Sequence, residues 1–122
     1  MSDLTIDDFF RDEGDWRRLF EAVLRQIERL GDATIRVSKS QIAFRRQKNF
    51  AVVWVPGQYL KDRAMAPLVL TLSFANRDPS PRWKEITKIR PNRFTHHLEL
   101  RGREDVDEEV FEWLQEAWDE AG

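Results

Sequence analysis

Two adjacent histidines, His96 and His97, are the residues of this chain that are most readily recruited as a base or a ligand. Neighbouring side chains of a strand point to opposite faces, so the pair cannot chelate one metal ion together. His96 shares its row with Leu98 and Leu100 and should lie at the edge of the core. His97 should point outward, where a functional role competes with that of an ordinary surface histidine.

A second candidate is the turn formed by Ser38, Lys39 and Ser40. Two hydroxyl groups and an ammonium group in one turn can hold a phosphate or a carboxylate. The alternative is a turn that favours serine for conformational reasons only. No glycine-rich loop accompanies it, so the phosphate hypothesis rests on the three side chains alone.

The third candidate is a cationic hairpin tip that contains Arg45, Arg46 and Lys48. Phe44 and Phe50 flank it, and cations beside aromatic rings are typical of proteins that bind single-stranded nucleic acid. Strand alternation, however, places both phenylalanines on the core side, which weakens this interpretation.

Catalytic and metal-binding motifs are missing from the sequence. It contains no glycine-rich nucleotide loop, no zinc-protease helix motif and no nucleophile elbow. It has no cysteine, which excludes disulfides and thiolate metal sites. We therefore expect no catalytic residues, no metal and no cofactor. An enzyme that uses His97 with a nearby acid is kept as a subordinate alternative.

The charge pattern is a basic middle between two acidic ends. The net charge is −3 over residues 1–31, +10 over residues 32–103 and −9 over residues 104–122, which together give −2. One interpretation is self-neutralisation, in which the acidic C-terminal helix pairs with basic strands. The other is a basic surface for an anion or a nucleic acid, with the acidic helices on the far side.

Apolar periodicity predicts helices at both ends of the chain and strands between them. A helix is expected from Asp15 to Leu30, with Gly31 as its stop, and another begins near Asp105. Residues 82–90 are ambiguous and are interpreted as an irregular strand or bend, and Gln58–Pro67 as a loop. The predicted strands are Ala33–Val37, Gln41–Arg45, Asn49–Val55, Leu68–Phe74 and Phe94–Leu100.

These elements predict one α+β domain over residues 1–122, in which residues 1–14 form a loosely packed turn. Short connections imply an antiparallel sheet of four to five strands with one long N-terminal and one C-terminal helix. Alternation also assigns two rows to the central hairpin. The inner row comprises Ile42, Phe44, Phe50, Val52 and Trp54. The outer row comprises Ala43, Ala51 and Val53, bordered by Arg36, Arg45 and His97.

Several short motifs resemble, in their order and spacing, a family of small bacterial domains catalogued as domain of unknown function 5655. The resemblance spans Trp16 to Ala121, and because the family has no assigned activity, no catalytic residues can be carried over from it. Members also occur appended to other domains, which implies a binding or accessory module. The motifs are K-S-Q-I-A-F at Lys39–Phe44, N-F-A-V-V at Asn49–Val53, L-V-L-T-L at Leu68–Leu72, P-R-W-K-E-I at Pro81–Ile86, T-H-H-L-E-L at Thr95–Leu100, and D-V-D-E-E-V with W-L-Q-E-A-W between Asp105 and Trp118.

The leading functional prediction is a binding module whose basic sheet face holds an anionic ligand, with nucleic acid as one candidate. The alternative is a protein-interaction or homodimer module that uses the apolar side chains of Ala43, Ala51, Val53 and Val69. A cytoplasmic location is expected, because cysteine is absent and no apolar run approaches the ~20 residues of a membrane helix. The predicted binding residues are Ser38, Lys39, Ser40, Arg45, Lys48, Arg93 and His97.

Overall fold

A computed structural model describes residues 5–10, 14–55 and 66–122 of the chain. Most of the loop predicted at Gln58–Pro67 lies outside the described residues. The helices are α1 (Ile6–Phe9), α2 (Gly14–Glu28) and α3 (Glu108–Glu120), with a short 3-10 helix at Arg103–Asp105. The strands are β1 (Thr34–Val37), β2 (Gln41–Arg45), β3 (Asn49–Trp54), β4 (Leu68–Phe74), β5 (Glu85–Arg90) and β6 (Arg93–Leu100).

The six strands form one antiparallel sheet in the order β1-β2-β3-β4-β6-β5. The α+β class and the antiparallel sheet are confirmed, but the predicted count of four to five strands is wrong. The additional strand is β5, in the segment interpreted as an irregular strand or bend. Its β-branched residues Ile86 and Thr87 pair with His96 and Thr95 of β6. Pairing with a neighbouring strand therefore determines the strand conformation of this segment, which residue spacing alone did not.

The N-terminal helices of the described ranges are α1, with 4 residues, and α2, with 15 residues, so the predicted long N-terminal helix is not shown. Thr5 caps α1 through a reciprocal capping box with Asp8. The helix α2 ends at Glu28, two residues before the predicted end, and Gly31 follows with φ 150°. This positive φ favours glycine, which explains why the chain turns there.

The helices α2 and α3 pack on one face of the sheet and bury its hydrophobic side. Phe20 of α2 stacks on Phe44 of β2, with ring centroids 6.1 Å apart. Trp118 of α3 meets Phe50 of β3 edge-on at 5.4 Å. The helices of the described ranges therefore leave the opposite face, called the open face below, without a helical cover.

A β-bulge between β2 and β3 decides which side chains reach the open face. Phe44 pairs with Ala51, but the next pair joins Arg45 to Asn49, so Phe50 is the extra residue. Phe50 and Ala51 consequently both turn toward the helices and are 2% exposed. The hairpin tip thus changes the alternation on which the two predicted rows depended.

The predicted rows of β3 are wrong as a result. Ala51 and Val53, expected on the outer face, are buried beneath the helices, with Val53 fully inaccessible. Val52 and Trp54, expected inside, lie on the open face instead, paired with Ala43 and Gln41. The small apolar row proposed as a dimer surface therefore does not exist as a row.

The β2–β3 tip closes the C-terminal end of α3. The backbone N–H groups of Gln47 and Lys48 donate to the carbonyl of Ala121 at 3.0 and 3.1 Å. Arg46 donates to the carbonyl of Trp118 at 3.1 Å, and its guanidinium lies 4.6 Å from the Trp118 ring centroid. These donors offset the unfavourable acidic end of this helix, because they meet the negative pole of its dipole.

Candidate functional site

The strand register brings residues of all six strands into one row across the open face. Neighbours in such a row lie about 4.8 Å apart, so a row of six spans about 24 Å. A second, parallel row crosses the four strands β2, β3, β4 and β6. The first row is Arg36, Ala43, Val52, Thr71, His97 and Glu85, and the second is Gln41, Trp54, Val69 and Glu99.

A depression of about 310 Å³ lies between these two rows near the β1–β2 turn. Val52 and Trp54 are half-buried and supply an apolar floor and wall. Ser40, Gln41, Thr71 and His97 complete the lining with polar groups. A flat aromatic wall with a few convergent polar groups suits a ligand that carries a planar ring.

His97 points to the open face, as strand alternation predicted. Its Nδ1 lies 2.8 Å from the Thr71 hydroxyl, which holds the ring in one orientation. The carboxylate-bearing Glu85 stands opposite His97 in the register, and Glu99 follows two residues along the strand. His97 can therefore offer a ring nitrogen to a ligand in the depression.

His96 faces the other way and belongs to the core, fully buried between the rings of Phe74 and Trp83. Its Nε2 accepts the backbone N–H of Asp78 at 3.0 Å, so the Nδ1–H is the donor to the carbonyl of Phe94 at 3.2 Å. Burial lowers the pKa of His96 below its ordinary value. This histidine is a neutral structural residue, which leaves only His97 available to a ligand.

Cations lie at the β1–β2 end of the open face. Arg36 is exposed and stands two strands from Val52, so its Cα is about 10 Å from the floor of the depression, within reach of an extended arginine. Arg45 is also exposed, and its Nε donates to the carbonyl of Gln47 at 3.1 Å. Glu85 and Glu99 lie on β5 and β6 at the other side of the face, where Arg101 approaches Glu99 at 3.6 Å.

The Ser38–Ser40 turn does not gather its three side chains into one phosphate site. The hydroxyl of Ser38 donates to the carbonyl of Gln41 at 3.1 Å, which closes the turn. Ser40 instead lines the depression, and Lys39 is exposed. The turn therefore contributes its edge to the site through Ser40.

Lys48 and Arg93 lie apart from this depression. Both line a second cleft of about 310 Å³ at one end of the sheet, together with Arg90, Asn92 and Ser73. Of the seven predicted binding residues, Ser40 and His97 line the depression, and Lys48 and Arg93 line this cleft, called the cationic cleft below. Ser38, Lys39 and Arg45 line neither of the two.

Trp54, Thr71 and Arg90 are the site residues that sequence reasoning missed. Trp54 was assigned to the core because alternation was continued unbroken through the hairpin tip. The signal against that assignment was the three-residue tip itself, since such loops commonly carry a bulge. Arg90 was missed because its segment was not assigned as a regular strand.

Neither a metal site nor a membrane-spanning helix is found in the described part of the chain. No three His, Asp or Glu side chains there are grouped so that they could hold a metal ion. No helix in those ranges is both long and apolar enough to cross a membrane.

Comparison with known proteins places the chain in a family. No curated protein and no solved structure matches it. One family model matches residues 6–121, which is nearly the whole chain, as the ordered motifs of the sequence suggested. The chain therefore belongs to the family described as Domain of unknown function (DUF5655).

Proposed function

We propose that this chain is a binding module that holds a ring-bearing anion, such as a nucleotide of single-stranded nucleic acid, on the open face of its sheet. The observation that carries the proposal is Trp54, an indole on the face opposite the helices, beside a depression lined by Thr71 and His97. Single-strand binders combine stacking side chains with nearby cations in this manner.

The ring of the ligand would stack on Trp54 above Val52. His97 and Thr71 would then face its edge, where a ring nitrogen or hydroxyl can bond the polar atoms of a base. Glu99 shares the row of Trp54, and its carboxylate suits the amino group of such a ring. The anionic group would extend toward Arg36 and Ser40 at the basic end.

Binding to Trp54 is tested by fluorescence anisotropy with labelled short DNA, short RNA and nucleotides at low salt. Removing one base–aromatic stack typically costs about 1–3 kcal/mol, so Trp54→Ala should weaken binding roughly 5- to 150-fold. Trp54→Phe keeps a ring and should retain most of the affinity. Arg25→Ala, which changes an exposed cation on the outer side of α2, is the matched control and should bind normally.

Two results would contradict the proposal. One is the absence of binding to every probe at low salt, since an electrostatic contribution is strongest there. The other is binding that survives Trp54→Ala unchanged, because the ligand would then lie elsewhere on the molecule.

The homodimer alternative has little support from the open face. Ala43 and Val69 are the only members of its predicted apolar row on that face, and they are 9% and 6% exposed. We also propose a cytoplasmic location, for which the support is a chain without cysteine.

A further inference from the structure

The cationic cleft lies where three structural features meet. They are the β2–β3 tip with Lys48, the β5–β6 turn with Arg90 and Arg93, and the C-terminal end of α3 with Glu120. The Glu120 carboxylate accepts the backbone N–H of Ala75 at 2.7 Å. Three cations and one carboxylate leave the cleft with a positive charge.

Arg90 and Arg93 stand directly opposite each other in the β5–β6 register. Like charges in this relation repel and destabilise a hairpin. Within the described ranges no ion pair or hydrogen bond is made by either guanidinium, and both line the same cleft. An anion placed between them would turn this repulsion into two attractive contacts.

The cleft adjoins the open face at Ser73, and its other side is lined by Ala117 and Ala121 at the C-terminal end of α3. Ser73 lines the cleft and lies two residues from Thr71 on the same face of β4, a distance of about 6.7 Å. On β6, Arg93, Thr95 and His97 alternate toward that face as well. Trp54 pairs with Val69, and from Val69 to Ala75 the path covers about 20 Å along the strand.

We infer that the ligand is a chain rather than a single nucleotide: a single strand of nucleic acid that crosses from Trp54 over Ser73 to Arg90 and Arg93. This inference rests on the proposed function. At the spacing of about 3.4 Å per nucleotide in a stacked strand, 20 Å corresponds to about six nucleotides, and fewer if the strand is extended. The stacked base lies at the depression, and a later phosphate lies between the two arginines.

The test measures affinity against length with oligothymidylates and oligouridylates of one, two, four, six and eight nucleotides. Affinity should rise up to about six nucleotides and then level off. The double change Arg90→Ala with Arg93→Ala should weaken hexanucleotide binding about 10-fold or more and leave mononucleotide binding unchanged. It should also reduce the dependence of log affinity on log salt by about 0.7, because one phosphate contact is lost.

Arg25→Ala is again the matched control for a lost cation, and it should alter neither length dependence nor salt dependence. Arg90→Ala relieves the repulsion within the hairpin, so the variant should fold at least as stably as the parent chain. A loss of binding in this variant can then not be attributed to unfolding.

The outcomes separate the two proposals. Binding that depends on Trp54 but is independent of length would overturn the chain inference and leave the proposed function standing. Equal affinity for a duplex of the same length would overturn it too, because paired bases cannot stack on Trp54. Absence of binding to every probe would overturn both.

Discussion

Acidification should destabilise this protein through His96, and the effect can be sized from the geometry of that one ring. The native ring is neutral, since its Nε2 accepts the Asp78 N–H and the Nδ1–H is directed to the Phe94 carbonyl. Burial lowers the pKa of His96 most strongly, and Arg77 adds to this, whereas the Phe94 and Leu72 carbonyls and the Asp78 carboxylate act in the opposite direction. Protonation would place an N–H at Nε2 against the N–H of Asp78.

The direction in which acid changes the free energy of unfolding follows from proton binding in the folded and unfolded states. Below the ordinary value of 6.5 the unfolded chain binds a proton at His96 that the native protein does not bind. The free energy of unfolding therefore falls as the pH falls from about 6.5 toward the lowered native pKa. One proton limits the slope to about 1.4 kcal/mol per pH unit, and integration from pH 6.5 to 5.5 gives a loss of up to about 1 kcal/mol, the limit in which the native ring stays neutral throughout.

Glu116 acts with the opposite sign, and the design must remove its contribution. Burial, then Glu120 and Asp78, raise the pKa of Glu116, so the native state binds a proton there first as the pH falls. The measured quantity is therefore a difference between variants, each followed by urea unfolding at pH 7.5, 6.5 and 5.5. In the variant His96→Gln the amide can still accept the Asp78 N–H but cannot titrate.

The parent chain should lose up to about 1 kcal/mol more than His96→Gln between pH 6.5 and 5.5. The matched control is His97→Gln, which removes the other imidazole while the contacts of His96 remain, and it should keep the acid-side loss. An equal loss in the parent and in His96→Gln would refute the reasoning. So would an acid-side loss that disappears in His97→Gln instead.

Two further predictions test the bulge and the attachment of the β4–β5 segment. Val53→Ala removes two methyl groups from the core and should lower the free energy of unfolding by about 1.6 kcal/mol or more, at ~0.8 kcal/mol for each group. Val52→Ala on the open face should lower it by less than about 1 kcal/mol. Urea unfolding measures both values, and equal losses would contradict the assigned faces. Arg82→Ala should lower stability by about 1.5–3 kcal/mol, because this guanidinium bonds Asp107 at 3.1 Å and Glu109 at 2.7 Å. Melting unchanged from the parent chain would show that the network contributes nothing.

Elements with a strong local pattern were predictable from the sequence, and elements decided by a partner were not. The α2 stripe follows helical spacing, and β2, β4 and β6 alternate cleanly, so their existence needed no tertiary information. The strand β5 exists because β6 offers it hydrogen-bonding partners, and it carries a bulge at Ile89, which is 54% exposed. The local pattern of that segment was ambiguous and favoured no more than an irregular strand or bend.

The candidate site was partly predictable for a related reason. The direction of the His97 side chain depends only on alternation within one strand, so its position on the open face could be predicted. The direction of the Trp54 side chain depends on how many residues the hairpin tip contains, because a single extra residue reverses every later side chain of the strand. The prediction therefore found one wall of the depression and misplaced the aromatic wall.

The two interpretations of the charge pattern apply to different residues. Arg82 joins the start of α3 through Asp107 and Glu109, Arg46 caps its end, and Arg29 approaches Glu108 at 3.6 Å. These cations neutralise the acidic helix, as the first interpretation held.

Arg36, Arg90 and Arg93 form no ion pair within the described ranges, and strand alternation directs Arg36 and Arg93 to the face that the helices do not cover. The basic middle of the chain is thus divided between cations of turns, such as Arg46 and Arg82, and cations of strands, such as Arg36 and Arg93. One part stabilises the fold, and the other remains available on the surface where Trp54 and His97 lie. If the open face served only to keep the protein soluble, repulsion between opposed Arg90 and Arg93 would be a cost without a return. A bound anion gives that arrangement a physical reason, and the length-dependent binding experiment tests it.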